Sequence, residues 1–381
     1  MFPFQKPYPP IIEDILKQLS RAGRLALQVK DYTVEKTGKV FDIVINDRLS
    51  EEVFNEIYSY IVNRYNYMIL QLRTDPPILR LIPIRKGNPK IKQVILLLTT
   101  IATIFLTGYG ISESFYELLG LNNQSVIIGW SIAYTALFLF ALGFHEFGHM
   151  FSSKKSGVII EGPYFIPAPP IQLGFIGTLG AVISMKSLPP TRRDLAKLGI
   201  SGPLFGYIVA LIIGFIGVMF SPTIPISKSI ELVESGQASE IGFMPLTMIL
   251  LLLIKNIPPG YTILLHPLAF ISFIIFVVTF LNLLPIGQLD GGHVVRSFTT
   301  DYTHELIGYF IIILTAVTGV LLLGTMAGQY YIALSIILVI FKLLFGRHPH
   351  PGPANQFSNN KDYSILLAYI ILVVLTLPLP T

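Results

Sequence analysis

Two histidines and a glutamate stand together at the end of one long apolar run, in the stretch FHEFGHM. On a helix, His145 and His149 fall on one face a turn apart, so both imidazoles can reach a single ion. Glu146 lies beside that face, where a carboxylate can take a proton from a metal-activated water without itself binding the metal. With 7 His and 13 Glu in 381 residues, the five-residue pattern HExxH is expected roughly 0.004 times by chance, so accident explains it poorly. The competing explanation is two hydrogen-bonded core histidines with Glu146 facing a polar cavity. Three ionisable groups in an apolar segment are costly and by default functional, which favours the metal.

A catalytic zinc takes three protein ligands and leaves a fourth position to water. With Cys 0, a thiolate ligand, a cysteine nucleophile and a disulfide scaffold are all excluded. Among acids inside the apolar body and away from its loops, the choice for the third ligand reduces to Asp290, in NLLPIGQLDGGH. Asn282 and Pro285 break the preceding run, and Gly287, Gly291 and Gly292 let the backbone turn tightly or approach closely. Irregular backbone at that depth is tolerated only where it lines a cavity or is buried in protein. A helix N-cap at the membrane surface is the other reading of Asp290. His293 reads as a helix-start residue or a neighbour of the cavity, His266 as lying at the outer end of its span, and His304, His348 and His350 as loop residues.

The elements that must carry these residues follow from composition. The chain is 52% hydrophobic and 13% charged, with mean hydropathy +0.65, against about 25% charged in soluble domains. The expected fold class is therefore a polytopic α-helical membrane protein preceded by a small soluble α+β domain. Twenty-five of the 49 charged residues lie within the first 92 positions, which places the soluble domain at residues 1–90 and the membrane domain at 91–381. Within the first part, residues 11–26 recur at helical spacing, DYTVEKTGKVFDIVI alternates like a hairpin around Gly38, Ser50 caps a second amphipathic run, and YMILQL and ILRLIPI flank a Pro76-Pro77 turn. The start of the chain has no basic stretch leading into an apolar core, so it does not read as a secretory leader.

Seven apolar runs approach the roughly 20 residues that a bilayer crossing needs: 91–107, 126–150, 200–220, 264–284, 307–323, 332–345 and 365–379. Residues 244–254 amount to about half a span and read as interfacial or re-entrant. Arg85, Lys86, Lys90, Lys92, Lys154, Lys155, Lys186, Arg192, Arg193, Arg296, Lys342, Arg347 and Lys361 fall on one side of this arrangement, and only Lys228 and Lys255 on the other. That asymmetry places the soluble domain in the cytoplasm of a multi-pass membrane protein, and the lack of a transit peptide points to a prokaryotic cell membrane. It also accounts for the net charge of +5, so nucleic acid is not an expected partner.

HEFGH on one membrane helix, followed by Asn282, Pro285, Leu289, Asp290 and Gly291 in the pattern NxxPxxxLDG, resembles the site-2 protease family of intramembrane zinc metallopeptidases. The resemblance covers residues 125–300. It implies that His145, His149 and Asp290 bind Zn2+, that Glu146 is the catalytic base, and that Asn282 supports the site by stabilising the tetrahedral intermediate. In GISGPLFG, Gly202 and Pro203 match the family's intervening motif and Gly206 takes its variable place. The stretch GPYFIPAPPIQLGFIGTLGAVISMKS, within 158–188, is similar to that of the branch found in archaea, cyanobacteria and chloroplasts. Its alternation and Gly174, Gly177 and Gly180 predict a β-hairpin dipping into the membrane. Such a hairpin could pair with an unwound substrate strand or plug the site against lipid. Residues 221–262 are too few for the PDZ domain that many relatives carry.

The expected activity is hydrolysis of peptide bonds within or near transmembrane helices of membrane protein substrates, in the bilayer. Two alternatives stand beside it. A surface-acting zinc protease would want a Glu as third ligand, and no intramembrane Glu follows Glu146. A metal-binding scaffold or transporter would use the same ligands but want a continuous polar path.

Overall fold

A computed structural model of the protein describes residues 8–34, 38–85, 87, 89–345 and 350–381. Lys86, Arg347, His348 and the tip of the first hairpin lie outside the described residues.

The head begins with α1 (Pro10–Arg21), whose Ile11, Ile12, Ile15 and Leu19 form one buried stripe. Then come β1 (Ala26–Val34), β2 (Gly38–Ile45), α2 (Glu51–Tyr65), β3 (Tyr67–Leu72) and β4 (Ile78–Pro83). The Ser50 side chain caps α2 by accepting from the Val53 N–H, and Asn66 ends it in a left-handed conformation. The strands make an antiparallel sheet in the order β1-β2-β4-β3. Asp42 on β2 stands directly opposite Arg80 on β4 and accepts a two-pronged hydrogen bond from it, both arms 2.8 Å. The core beneath holds Phe54, Tyr58, Ile43 and Leu79, and it also holds Ala354 from far along the chain. That alanine belongs to a segment laid along the outer edge of β3: Gln71 donates to the Ala354 carbonyl and Gln356 donates back to the Gln71 carbonyl, at 2.9 and 3.0 Å. The open edge of the sheet is thereby covered.

The membrane body follows: α3 (Lys90–Leu118), α4 (Gln124–Lys155), β5 (Ile160–Pro167), β6 (Thr178–Met185), α5 (Arg192–Phe220), β7 (Thr223–Pro225), α6 (Ile226–Glu234), β8 (Phe243–Pro245), α7 (Leu246–Ile254), β9 (Tyr261–Ile263), α8 (Pro267–Leu283), α9 (Asp290–Phe298), α10 (Asp301–Leu321), α11 (Met326–Phe345), α12 (Tyr363–Thr376) and β10 (Pro378–Pro380). Five helices, α3, α4, α5, α10 and α11, are long and apolar enough to cross a membrane, and α8 and α12 are shorter apolar helices. The chain is an integral membrane protein.

The shortness of α8 is compatible with its place. Its 17 residues rise about 26 Å, and it is buried along most of its length, packed on α4, α5 and α12. By contrast α10 leaves Leu306, Phe310, Ile313, Val317 and Leu321 exposed, a stripe suited to lipid tails. The run at 244–254 forms the nine-residue α7, too short to cross. At the far end of the bundle β7 pairs with β9 and β8 with β10, and Lys255 donates to the Val218 and Ser221 carbonyls where α5 ends.

The head meets the body where α4 ends and α5 begins. Tyr58 donates to the Leu188 carbonyl at 2.7 Å and lies 3.1 Å from Ser187 Oγ; burial pushes its phenol up to about 12, so it keeps the proton it donates.

Candidate metal centre

His145, Glu146 and His149 lie in the last third of α4, and Asp290 opens α9. The structure brings the three candidate ligands together. His145 Nε2 and His149 Nε2 stand 3.2 Å apart, and each lies 3.2 Å from a different oxygen of Asp290. Among the described residues this is the group of ionisable side chains whose ligand atoms converge closely enough to hold a metal ion.

The ring of His149 is oriented from behind. Its Nδ1 lies 2.9 Å from the Leu198 carbonyl; a carbonyl only accepts, so Nδ1 carries the proton. In the neutral ring, Nε2 therefore turns a lone pair towards His145 and Asp290. With the His145 ring in the same tautomer, lone pairs on two nitrogens and a carboxylate would converge within hydrogen-bond distance, an arrangement that a cation satisfies. Glu146 is 3% exposed and its Oε2 has no hydrogen-bond partner among the described residues. A buried, unpaired carboxylate oxygen next to such a cluster is the group left ready to take a proton.

The closeness of α4, α5 and α9 depends on glycine. Gly199, Gly202 and Gly206 recur at spacings of three and four, so they share one face of α5. A Cβ at Gly199 would come 2.6 Å from the Asp290 carbonyl oxygen, one at Gly202 would overlap His149 Nε2, and one at Gly206 would come 3.1 Å from His145 Cβ. Gly148 on α4 replies, since a Cβ there would overlap the Ser201 carbonyl. Pro203 follows Gly202 inside α5 and removes one helical N–H.

Asp290 is delivered by the break after α8. Tyr369 on α12 donates to the Leu283 carbonyl at 2.7 Å, and Gly287 turns the chain with φ +54°. Gly291 and Gly292 let the first turn of α9 rest on that break, because a Cβ at either would strike the Leu283 or Gly287 carbonyl.

The cluster opens onto a cavity of about 390 Å³. Asn282 and His293 line it, and its other wall is residues 181–185 of β6. The predicted hairpin is thus present as β5 and β6, with bulges between Glu161 and Tyr164 and between Phe165 and Pro167. In this two-stranded sheet β6 pairs with β5 alone among the described residues, which leaves its other edge unpaired beside the metal cluster.

Sequence reasoning singles out Gly202 and Gly206 but passes over Gly199 and Gly148, although small residues at helical spacing are a readable sign of close helix packing. It places His304 and His350 in loops. His304 instead lies buried in the first turn of α10, whereas His350 does lie between α11 and α12 but is buried, its Nε2 2.7 Å from His293 Nδ1. No short motif announces that pairing. His266 lies remote from the cluster as expected, its Nδ1 accepting from Leu268 N–H to cap α8.

Among curated proteins, the chain is 25% identical over 326 residues to the Arabidopsis thaliana protein named "Probable zinc metalloprotease EGY2, chloroplastic", covering 82% of this chain and 54% of that one. It is 29% identical over 244 residues to "Probable zinc metalloprotease EGY1, chloroplastic" of Oryza sativa subsp. japonica, covering 61% and 38%. The chain thus spans about half, or less, of the length of these relatives. No solved structure matches the chain. Residues 133–325, just over half of the chain and including all of His145, Glu146, His149, Asn282 and Asp290, match Peptidase family M50, and the chain belongs to that family, the site-2 proteases.

Proposed function

We propose that this protein is an intramembrane zinc metalloprotease that hydrolyses a peptide bond in or near a transmembrane helix of a membrane protein substrate. The observation that carries the proposal is the meeting, in one cavity, of three converging ligands, an unpaired buried carboxylate and an open strand edge. The relatives' names as zinc metalloproteases support the same reading.

His145, His149 and Asp290 would hold the zinc, which supplies Lewis acidity to acidify a water and polarise the scissile carbonyl. The donor set fits: two imidazoles and a carboxylate leave one tetrahedral position for water or substrate. Leu198 fixes His149 in the tautomer that ligation needs. Glu146 accepts the water's proton at Oε2 and returns it to the leaving amine, as one group serves as base and then acid. Asn282, at the cavity wall, hydrogen-bonds the carbonyl oxygen as negative charge develops there.

A helical substrate has its scissile carbonyl engaged in its own helix, so it must be drawn out before attack. The free edge of β6 supports that step, because an extended segment hydrogen-bonded along 181–185 would lie next to Glu146. The positive-charge asymmetry supports a cytoplasmic head, with the metal ligands towards that face and water entering from it.

The test is cleavage of a panel of single-span helical substrates by the purified protein, with Glu146→Gln beside it and zinc measured on both. The proposal expects equal zinc and a loss of about 10²–10⁴-fold in rate for the variant. Preparations that hold no zinc, or a variant as active as the original, would overturn it.

A further inference from the structure

A second cavity, of about 310 Å³, lies outside the metal site, at the seam between the head and the membrane body. Three guanidinium groups from distant parts of the chain line it: Arg73 just after β3, Arg192 opening α5 and Arg296 near the end of α9. Among the described residues none of the three makes an ion pair with a carboxylate. Arg192 and Arg296 are held by carbonyls instead. Arg192 Nε donates to Ser358 at 2.9 Å and its Nη1 to Ser297 at 2.8 Å, while Arg296 donates through Nε to His350 and through Nη1 to Thr299. Those bonds fix both forks and leave each Nη2 without a hydrogen bond among the described residues. Arg73, exposed, rests over the Phe357 ring, 5.4 Å from its centroid.

Asp301 is the carboxylate on the wall, against three positive charges. His350 also lines the cavity but adds no charge: burial, with His293, His304 and Arg296 nearby, pushes it down to about 2. Like charges brought together on a rigid frame repel unless a counter-charge sits among them. Several forked donors converging from different directions suit an anion with several oxygens better than a single carboxylate.

We propose that this cavity binds a phosphate group, carried either by a soluble phosphate compound or by the headgroup of an anionic lipid. Its position supports both sources. It opens at the end of the bundle where α5 and α10 start, on the side that bears the head, where the headgroups of a surrounding bilayer would lie.

The experiment uses the full chain and reads binding alone, so its outcome is separate from that of the cleavage assay. One arm titrates inorganic phosphate, at constant ionic strength, into protein in a neutral detergent by calorimetry. The other reconstitutes the protein in phosphatidylcholine nanodiscs with and without phosphatidylglycerol and counts retained lipid by native mass spectrometry. Arg73→Gln is the main variant, because that side chain is exposed and its loss leaves the carbonyl contacts of the other two intact; Arg73→Gln with Arg296→Gln is the second. Saturable binding of one phosphate per chain, weakened roughly tenfold by Arg73→Gln at unchanged melting temperature, supports the site and a soluble ligand. Retention of phosphatidylglycerol with the same arginine dependence and no phosphate binding supports it with the lipid as source. No saturable binding in either arm, or binding indifferent to both variants, overturns it.

Discussion

At the scale of single residues, the metal cluster is limited by space as much as by ligand chemistry. Gly202 and Gly206 both face the histidines, but at different clearances: a Cβ at Gly202 would overlap the Nε2 of His149, and one at Gly206 would only press on the Cβ of His145 at 3.1 Å. Gly202→Ala is therefore expected to strip zinc from the purified protein and abolish cleavage, while Gly206→Ala keeps most of its zinc. Metal content per chain, with helicity by circular dichroism as control, checks the order; equal loss in both would mean that the two glycines serve only helix packing. The ligands themselves are legible in the amino-acid sequence, because HExxH fixes two of them by helical geometry and the membrane leaves few acids for the third. The glycine contacts are less so, since spacing reveals a small-residue face but not which neighbour it meets.

At the scale of elements, β6 is the part whose role is most open to attack by substitution. Successive residues in a strand direct their N–H groups to opposite edges. Of Val182→Pro and Ile183→Pro, one removes a donor from the ladder with β5 and the other a donor from the free edge. If substrate binds by strand addition, one variant loses thermal stability and the other keeps its melting temperature and zinc but loses cleavage. Two variants that differ only in stability would leave β6 as a wall of the cavity and nothing more. The spans and the head's helices and strands can be read from period and hydropathy because each element's burial pattern repeats along its own length. The covering of β3 by the 350–358 segment cannot, since it joins residues 284 positions apart through the bond of Gln71 Nε2 to Asn355 Oδ1.

At the scale of the whole molecule, that same glutamine ties the head to the connection between α11 and α12. Gln71 is fully buried, its Oε1 accepts from Leu49 N–H at 2.9 Å, and its Nε2 donates to Asn355 at 2.9 Å. Gln71→Leu would leave the Leu49 N–H unsatisfied and Asn355 Oδ1 with only its bond from Phe357 N–H, at a cost of about 1–3 kcal/mol. The expected result is a lower melting temperature and faster proteolysis of both the head and the 350–358 segment. Loss of protection in only one would show that the two are not coupled. Ser358 adds a second tie through its hydrogen bond to Glu51, at 2.8 Å.

The alanine at position 354 sets an order of events during synthesis. Domains generally fold as units, the amino-terminal ones first while the rest is still being made, but the core of this head contains a residue that leaves the ribosome only after six of the seven apolar helices. The outer edge of β3 can be covered only once α11 has been made and the chain has come back alongside the head. Only α12 and β10 follow that segment, so the core of the head and the last of the helical bundle are completed together at the end of synthesis.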